Sequence, residues 1–132
     1  MAYQADPFPD RTALDGLFQA AWGTPPSVDL SALLERSLVH VAAYDADRLI
    51  GFVNVAWDGG VHASIFDTMV HPDYRRQGIG TGLVRRAADL ARERGAHWLH
   101  VDYERRLAPF YAACGFKATS AGLIQLQVPS PT

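Results

Sequence analysis

The 132-residue sequence predicts an α+β domain, one mixed and mostly antiparallel sheet with helices on its faces. Three observations predict it. Apolar residues recur at helical spacing over residues 10–22, and two hairpin-type turns then divide residues 38–70 into three strands. A long amphipathic run at 80–95 follows and leads into an apolar strand at 96–103, the pattern of a right-handed crossover to a parallel neighbour.

In "PDRTALDGLFQAAWG", Leu14, Leu17, Phe18, Ala21 and Trp22 share one helical face. Asp10 or Thr12 can cap this helix, and Gly23 with Pro25-Pro26 ends it. A short second helix starts at Ser27 or Asp29 and buries Leu30, Leu33 and Leu34. Turns at Asp45-Ala46-Asp47 and Asp58-Gly59-Gly60 make the next three strands an antiparallel meander. In "GTGLVRRAADLARERG", Ile79, Leu83, Val84, Ala87, Ala88 and Ala91 form one stripe, so a helix starts at about Gly78 to Gly80 and stops at Gly95. "AHWLHVDY" is a strand parallel to the one ending at Val70. "ERRLAPFYAACGF" is a short helix closed by Gly115, "AGLIQLQV" is a final strand, and "PSPT" frays. A short first strand near Tyr3 completes the set.

Length and composition bound the function. The chain fills one domain, residues 1–132, with a single core. A formal charge of −2 supplies no general attraction for nucleic acid or anionic lipid, so anion binding has to be local. Cys114 is the only cysteine, which excludes an internal disulfide and a cysteine-based metal site, and the five histidines lack metal-ligand spacing. The N-terminus has acids and prolines where a signal peptide has an apolar segment, and no apolar run is long enough to span a bilayer. A soluble cytoplasmic domain without metal is expected.

The chemistry centres on "VHPDYRRQGIGTGLV". Helix-start N–H groups lack intrahelical partners and carry the positive end of the helix dipole. Glycines there leave the backbone open to an anion, and Arg75 and Arg76 add charge. Such a loop suits a pyrophosphate. Gly-x-Gly-x-x-Gly fails because position 83 is leucine, and the phosphate-loop pattern fails for want of Lys followed by Ser or Thr. The pattern Arg75-x-x-Gly78-x-Gly80 between a meander strand and a crossover helix, with Val-His-Pro ahead and "APFYAACGF" downstream, resembles the GCN5-related N-acetyltransferase (GNAT) family. The resemblance covers about Ser64 to Phe116, and element order agrees beyond it.

That resemblance implies a GNAT-like acyl-CoA acyltransferase fold and an acetyl-CoA-dependent transfer to a primary amine, by direct attack on the thioester. In the family the strand before the loop splays from its parallel neighbour and the pantetheine arm lies in the gap. By position, Thr68, Met69 and Val70 meet the thioester end. Arg75, Arg76, Gln77, Gly78, Ile79, Gly80 and Thr81 serve the pyrophosphate, and Tyr111 protonates the leaving thiolate. Many relatives carry asparagine seven residues before that tyrosine; Glu104 stands here, and no asparagine role is carried onto it.

The base is open between His100, a position relatives use on this strand, and Asp67, which alternatively anchors a bulge. Each also has a structural reading: His100 as a hydrogen-bonded histidine, Tyr111 as a packing aromatic. Trp22, Trp57, Tyr44 and Tyr103 either line an acceptor groove or pack in the core, and Asp58 either meets an amine or closes its turn. The acceptor is a small-molecule or peptide amine, nucleic acid and membrane are not expected partners, and a homodimer is open. Two other classes compete: a non-catalytic acyl-CoA sensor, and a nucleotide- or RNA-binding domain using Arg75, Arg76, Arg85 and Arg86. Asp73, Asp89 and Glu93 interrupt the latter's patch.

Overall fold

The computed structural model describes residues 1–127. Their elements are β1 (Ala2–Ala5), α1 (Arg11–Trp22), α2 (Leu30–Leu33), β2 (Ser37–Asp45), β3 (Arg48–Trp57), β4 (His62–Val70), α3 (Ile79–Glu93), β5 (Trp98–Val101) and α4 (Ala108–Ala113), with short 3₁₀ turns before β2, α3 and α4. The strands lie in chain order across one sheet, antiparallel from β1 to β4 and parallel between β4 and β5. The mixed sheet and the crossover are as the hairpin chemistry and helix spacing require.

Local chemistry explains the ends. The Asp10 carboxylate accepts from the Ala13 N–H at 2.8 Å, and Gly23 closes α1 in the left-handed region at φ 81°. Asp29 caps α2, whose single turn tightens into a 3₁₀ turn over Leu34–Arg36. Asp58 accepts from the Gly60 N–H at 2.7 Å, so its carboxylate serves the β3–β4 turn.

The sheet separates two apolar layers. On one face Val39, Val41, Val53, Val55, Ala63 and Ile65 pack under Ile79, Leu83, Val84 and Ala87 of α3. On the other, Ala42, Leu49, Phe52 and Met69 meet Leu14 and Leu17 of α1, Leu30 of α2 and Leu34. Each fully buried aliphatic side chain contributes about 1.5–3 kcal/mol. Gly51 sets how closely α3 approaches: a Cβ there would stand 3.0 Å from Leu83 Cδ1 and 3.3 Å from Ile79 Cγ2.

One expectation fails. Residues 121–127 of the expected last strand are in no strand; Leu123, Ile124 and Leu126 are 81–84% exposed. Apolar alternation marks an extended segment, but a strand also needs a hydrogen-bonded neighbour, and these residues find none among the described residues. Val128 and the tail "PSPT" lie outside the described residues. No helix of the described residues is long and apolar enough to cross a membrane.

The N-terminus is pinned to β2 through a buried histidine. His40 is 0% exposed, and its Nε2 accepts from the Phe8 N–H at 2.9 Å. Its Nδ1 lies 3.3 Å from Asp6 Oδ1 but makes no hydrogen bond. Asp6 also accepts from the His40 N–H and pairs with Arg94 at 2.6 Å. Burial pushes the imidazole pKa down; Asp6 opposes that shift and Arg94 adds to it. A histidine with a depressed folded pKa binds its proton more weakly than in the unfolded chain. Its stability contribution is therefore complete above the unfolded value of about 6.5 and is lost as pH falls toward and through the folded value. Urea unfolding at pH 7.5 and 5.5 should show wild type losing more stability on acidification than His40→Gln; equal losses would place the acid sensitivity elsewhere.

Candidate active site

The site is built around an irregularity in β4. Phe52 pairs with Met69 and Asn54 with Phe66, so Asp67 and Thr68 together face Val53: a β-bulge, with Asp67 at φ 58°. Its effect is visible in the packing. Ile65 joins the α3 layer, whereas Met69, an even number of residues on, joins the α1 layer. Strand β5 pairs only with His62–Ile65, so among the described residues β4 from Phe66 onward has no neighbour on that side. The β4–β5 pairing thus ends ahead of the residues where the family resemblance implies that the two strands splay.

The loop after β4 is fixed from several directions. The His71 N–H donates to Ile50 O at 2.8 Å, the Tyr74 hydroxyl donates to Asp45, and Arg75 reaches Ala21 O at 3.0 Å, tying the loop to the end of α1. Arg76 and Gly78 both adopt left-handed backbone, at φ 64° and 77°, and turn the chain sharply into α3. No side chain caps α3, and the first N–H bonded back along the helix is that of Gly82, to Gly78 O at 3.0 Å. The N–H groups of Ile79, Gly80 and Thr81 precede it at the positive end of a 15-residue helix. A Cβ at Gly80 would stand 3.4 Å from the Phe110 ring, so its absence keeps the cleft wall low.

These features share a cleft of about 630 Å³. Of the residues expected at the cofactor, Thr68, Met69, Val70, Arg75, Arg76, Gly78, Ile79, Gly80 and Thr81 line it, as does Tyr111. Gln77 belongs to the same loop but is not on the wall. Trp22, Tyr74, Arg106, Leu107 and Phe110 also line it. Arg106 was not singled out from the sequence, where it is one of several arginines. The signal was its position four residues before Phe110; it sits in the 3₁₀ turn that precedes α4, on the cleft wall. Arg106 Nε also pairs with Glu104 at 2.8 Å, so the carboxylate standing where relatives often have asparagine is matched by a cation.

Tyr111 is 6% exposed, stacked on Tyr103 at 4.9 Å and edge-on to Phe110 and Phe116. It is thus both a core aromatic and a cleft residue. Burial pushes its phenol pKa up; the Thr68 hydroxyl opposes the shift, and Cys114 adds to it. Thr68 Oγ1 is buried beside that phenol and has no settled hydrogen-bond partner among the described residues, so it can turn toward a ligand or the phenol. Cys114 is likewise raised, chiefly by burial, and stays a thiol.

His100 lies elsewhere. It pairs with Ser64 across the β4–β5 ladder, and its Nε2 is 2.9 Å from His62 Nδ1 on an exposed face. Trp57 donates to Gly60 O in its turn, Tyr44 packs in the α1 layer, and neither lines the cleft. Among the described residues, no carboxylate or imidazole side chain is on the cleft wall. Among the described residues no three His, Cys, Asp or Glu side chains gather as metal ligands.

Known proteins resemble this chain in sequence and in fold. The sequence is 26% identical over 125 residues to GCN5-related N-acetyltransferase 2, chloroplastic, of Arabidopsis thaliana, covering 80% of this chain and 48% of that protein. It is 33% identical over 101 residues to a mycothiol acetyltransferase of Mycolicibacterium vanbaalenii, covering 75% of this chain and 33% of that one. The chain spans about half the length of the plant relatives it matches. A GNAT family protein of Streptococcus pneumoniae superposes with a TM-score of 0.79 at 25% identity, covering 96% of this chain and 98% of that one. The model of the acetyltransferase (GNAT) family matches residues 4–116, and the chain belongs to that family.

Proposed function

We propose that the protein is an acetyl-CoA-dependent N-acetyltransferase acting on a primary amine. The observation that carries this is the convergence, in one cleft, of a β4 edge without a neighbour, an uncapped α3 N-terminus and the buried phenol of Tyr111. The free N–H and C=O groups of Thr68 to Val70 suit the amides of a pantetheine arm laid alongside as a strand. The α3 N–H groups suit a pyrophosphate, and Arg76 and Arg106 bring positive charge to the rim. A β4 N–H aimed at the acetyl oxygen would stabilise the negative charge that develops there. A phenol with raised pKa keeps its proton at neutral pH, which fits Tyr111 to donate to the departing thiolate.

Two variants test this. Tyr111→Phe keeps the ring packing and should lower kcat roughly 10²-fold, read as free-thiol release, with acetyl-CoA affinity unchanged. Unaltered turnover would remove Tyr111 from the chemistry. Gly80→Glu sends a carboxylate into the cleft because the Phe110 ring closes off its near side, and acetyl-CoA binding by calorimetry should weaken roughly tenfold or more. Normal binding by that variant would disprove the phosphate assignment. Binding without thiol release from any amine would identify a sensor instead.

A further inference from the structure

Among the described residues the cleft wall offers no carboxylate or imidazole to take a proton from an ammonium, yet an alkyl amine is almost wholly protonated at pH 7. The carboxylate adjacent along the chain to the thioester-end residues Thr68 to Val70 is Asp67, the other residue of the bulge. There it lines a second cavity, of about 280 Å³, with Phe66, Arg36, Ser37, Asn54, Leu33 and Ala56. The bulge thus presents successive residues of β4 to two different cavities: Thr68 to Val70 to the larger one, Phe66 and Asp67 to the smaller.

The small cavity has opposite charges on its wall. Among the described residues Asp67 is its only acid and Arg36 its only cation. Arg36 makes no ion pair among the described residues. The Ser37 hydroxyl donates to the Asn54 side-chain carbonyl, which leaves the Asn54 NH₂ to donate elsewhere. Phe66, Leu33 and Ala56 supply apolar surface between the polar groups. A simple alkylammonium would gain from Asp67 and lose to Arg36. A molecule with both an ammonium and a carboxylate satisfies both.

We infer that this cavity is the acceptor subsite and that it takes a free amino acid or a similarly small amine bearing a carboxylate, with Asp67 receiving the ammonium and Arg36 and Asn54 the carboxylate. The inference rests on the acetyltransferase reading and names its substrate class. In the reaction Asp67 takes one proton from the ammonium, and the freed lone pair forms the N–C bond to the acetyl carbon. The C–S bond breaks, and the thiolate takes the Tyr111 proton. The phenolate then recovers a proton from the acylated nitrogen, and Asp67 returns its own to solvent. Burial raises the Asp67 carboxyl pKa, which makes its carboxylate a stronger base than a solvated one. Its left-handed backbone is one that Asp and Asn tolerate better than other residues with a Cβ, so Asp67→Asn should keep the bulge while removing the base.

The test is free-thiol release from acetyl-CoA with the twenty amino acids, their decarboxylated counterparts and their amides, alongside calorimetric acetyl-CoA binding. At least one amino acid should turn over at least tenfold more efficiently than its decarboxylated amine and its amide. Asp67→Asn should lower kcat roughly 10²-fold or more with acetyl-CoA affinity unchanged. Arg36→Gln should raise KM for the amino acid at least tenfold and abolish the preference over the decarboxylated amine, leaving acetyl-CoA affinity unchanged. Preference for the decarboxylated amines, no amino-acid turnover by a protein that binds acetyl-CoA, or full activity in Asp67→Asn would each overturn the inference. Loss of turnover in His100→Gln with full activity in Asp67→Asn would assign the base to His100. Failure of wild type to bind acetyl-CoA would instead overturn the acetyltransferase reading itself.

Discussion

Strand β4 changes partners halfway along its length. As far as Ile65 it is an interior strand, hydrogen-bonded to β3 on one side and β5 on the other; beyond Ile65 only the β3 side is paired among the described residues. The bulge at Asp67–Thr68 falls at that change and reverses which face the following residues present. Backbone groups left unpaired inside a sheet are costly unless something else meets them, and here they open into a cleft where a ligand can. The other parts of the site depend on this opening. Helix α3 can aim its free N–H groups at a ligand because the loop returns from the end of β4, and Tyr111 reaches the same space because α4 follows the strand that stopped short.

The supports of the site lie in the rigid parts of the fold. The α3 stripe packs closely on Gly51 and holds the helix against the sheet. Asp45, Ile50 and Ala21 hold the loop from β2, β3 and α1, so three elements distant in sequence position the backbone that would meet a phosphate. Tyr111 is fixed by aromatic contacts on several sides, which orients its hydroxyl while keeping water from most of its ring.

Much of this was legible in the sequence because it depends on local rules. Asp10 and Gly23 bound α1, hairpin residues produce the meander, the crossover spacing makes β5 parallel, and Gly78 and Gly80 mark the start of α3. The less legible parts depend on pairing across the sheet. Nothing in "SIFDTMV" announces that Asp67 and Thr68 share one partner, since a bulge is a property of two strands together. For the same reason "AGLIQLQV" looks like a strand, yet residues 121–127 have no ladder. In β5, Leu99 and Val101 pack on the α3 layer and His100 alternates away from it, but facing alone does not say that His100 meets His62 rather than the cleft. Arg106 and Arg36 look like ordinary surface arginines until α4 and the turn before β2 place them.

The most direct measurement is thermal unfolding with and without saturating acetyl-CoA, with NADH and ATP as controls. A ligand that binds the native state at 100 times its dissociation constant adds about 2.7 kcal/mol, several degrees for a domain of this size. The account predicts a rise of that order with acetyl-CoA and clearly smaller rises with the controls. No rise at saturating acetyl-CoA, or an equal rise with ATP, would contradict the claim that the split in β4 and the α3 N-terminus together form an acyl-CoA site.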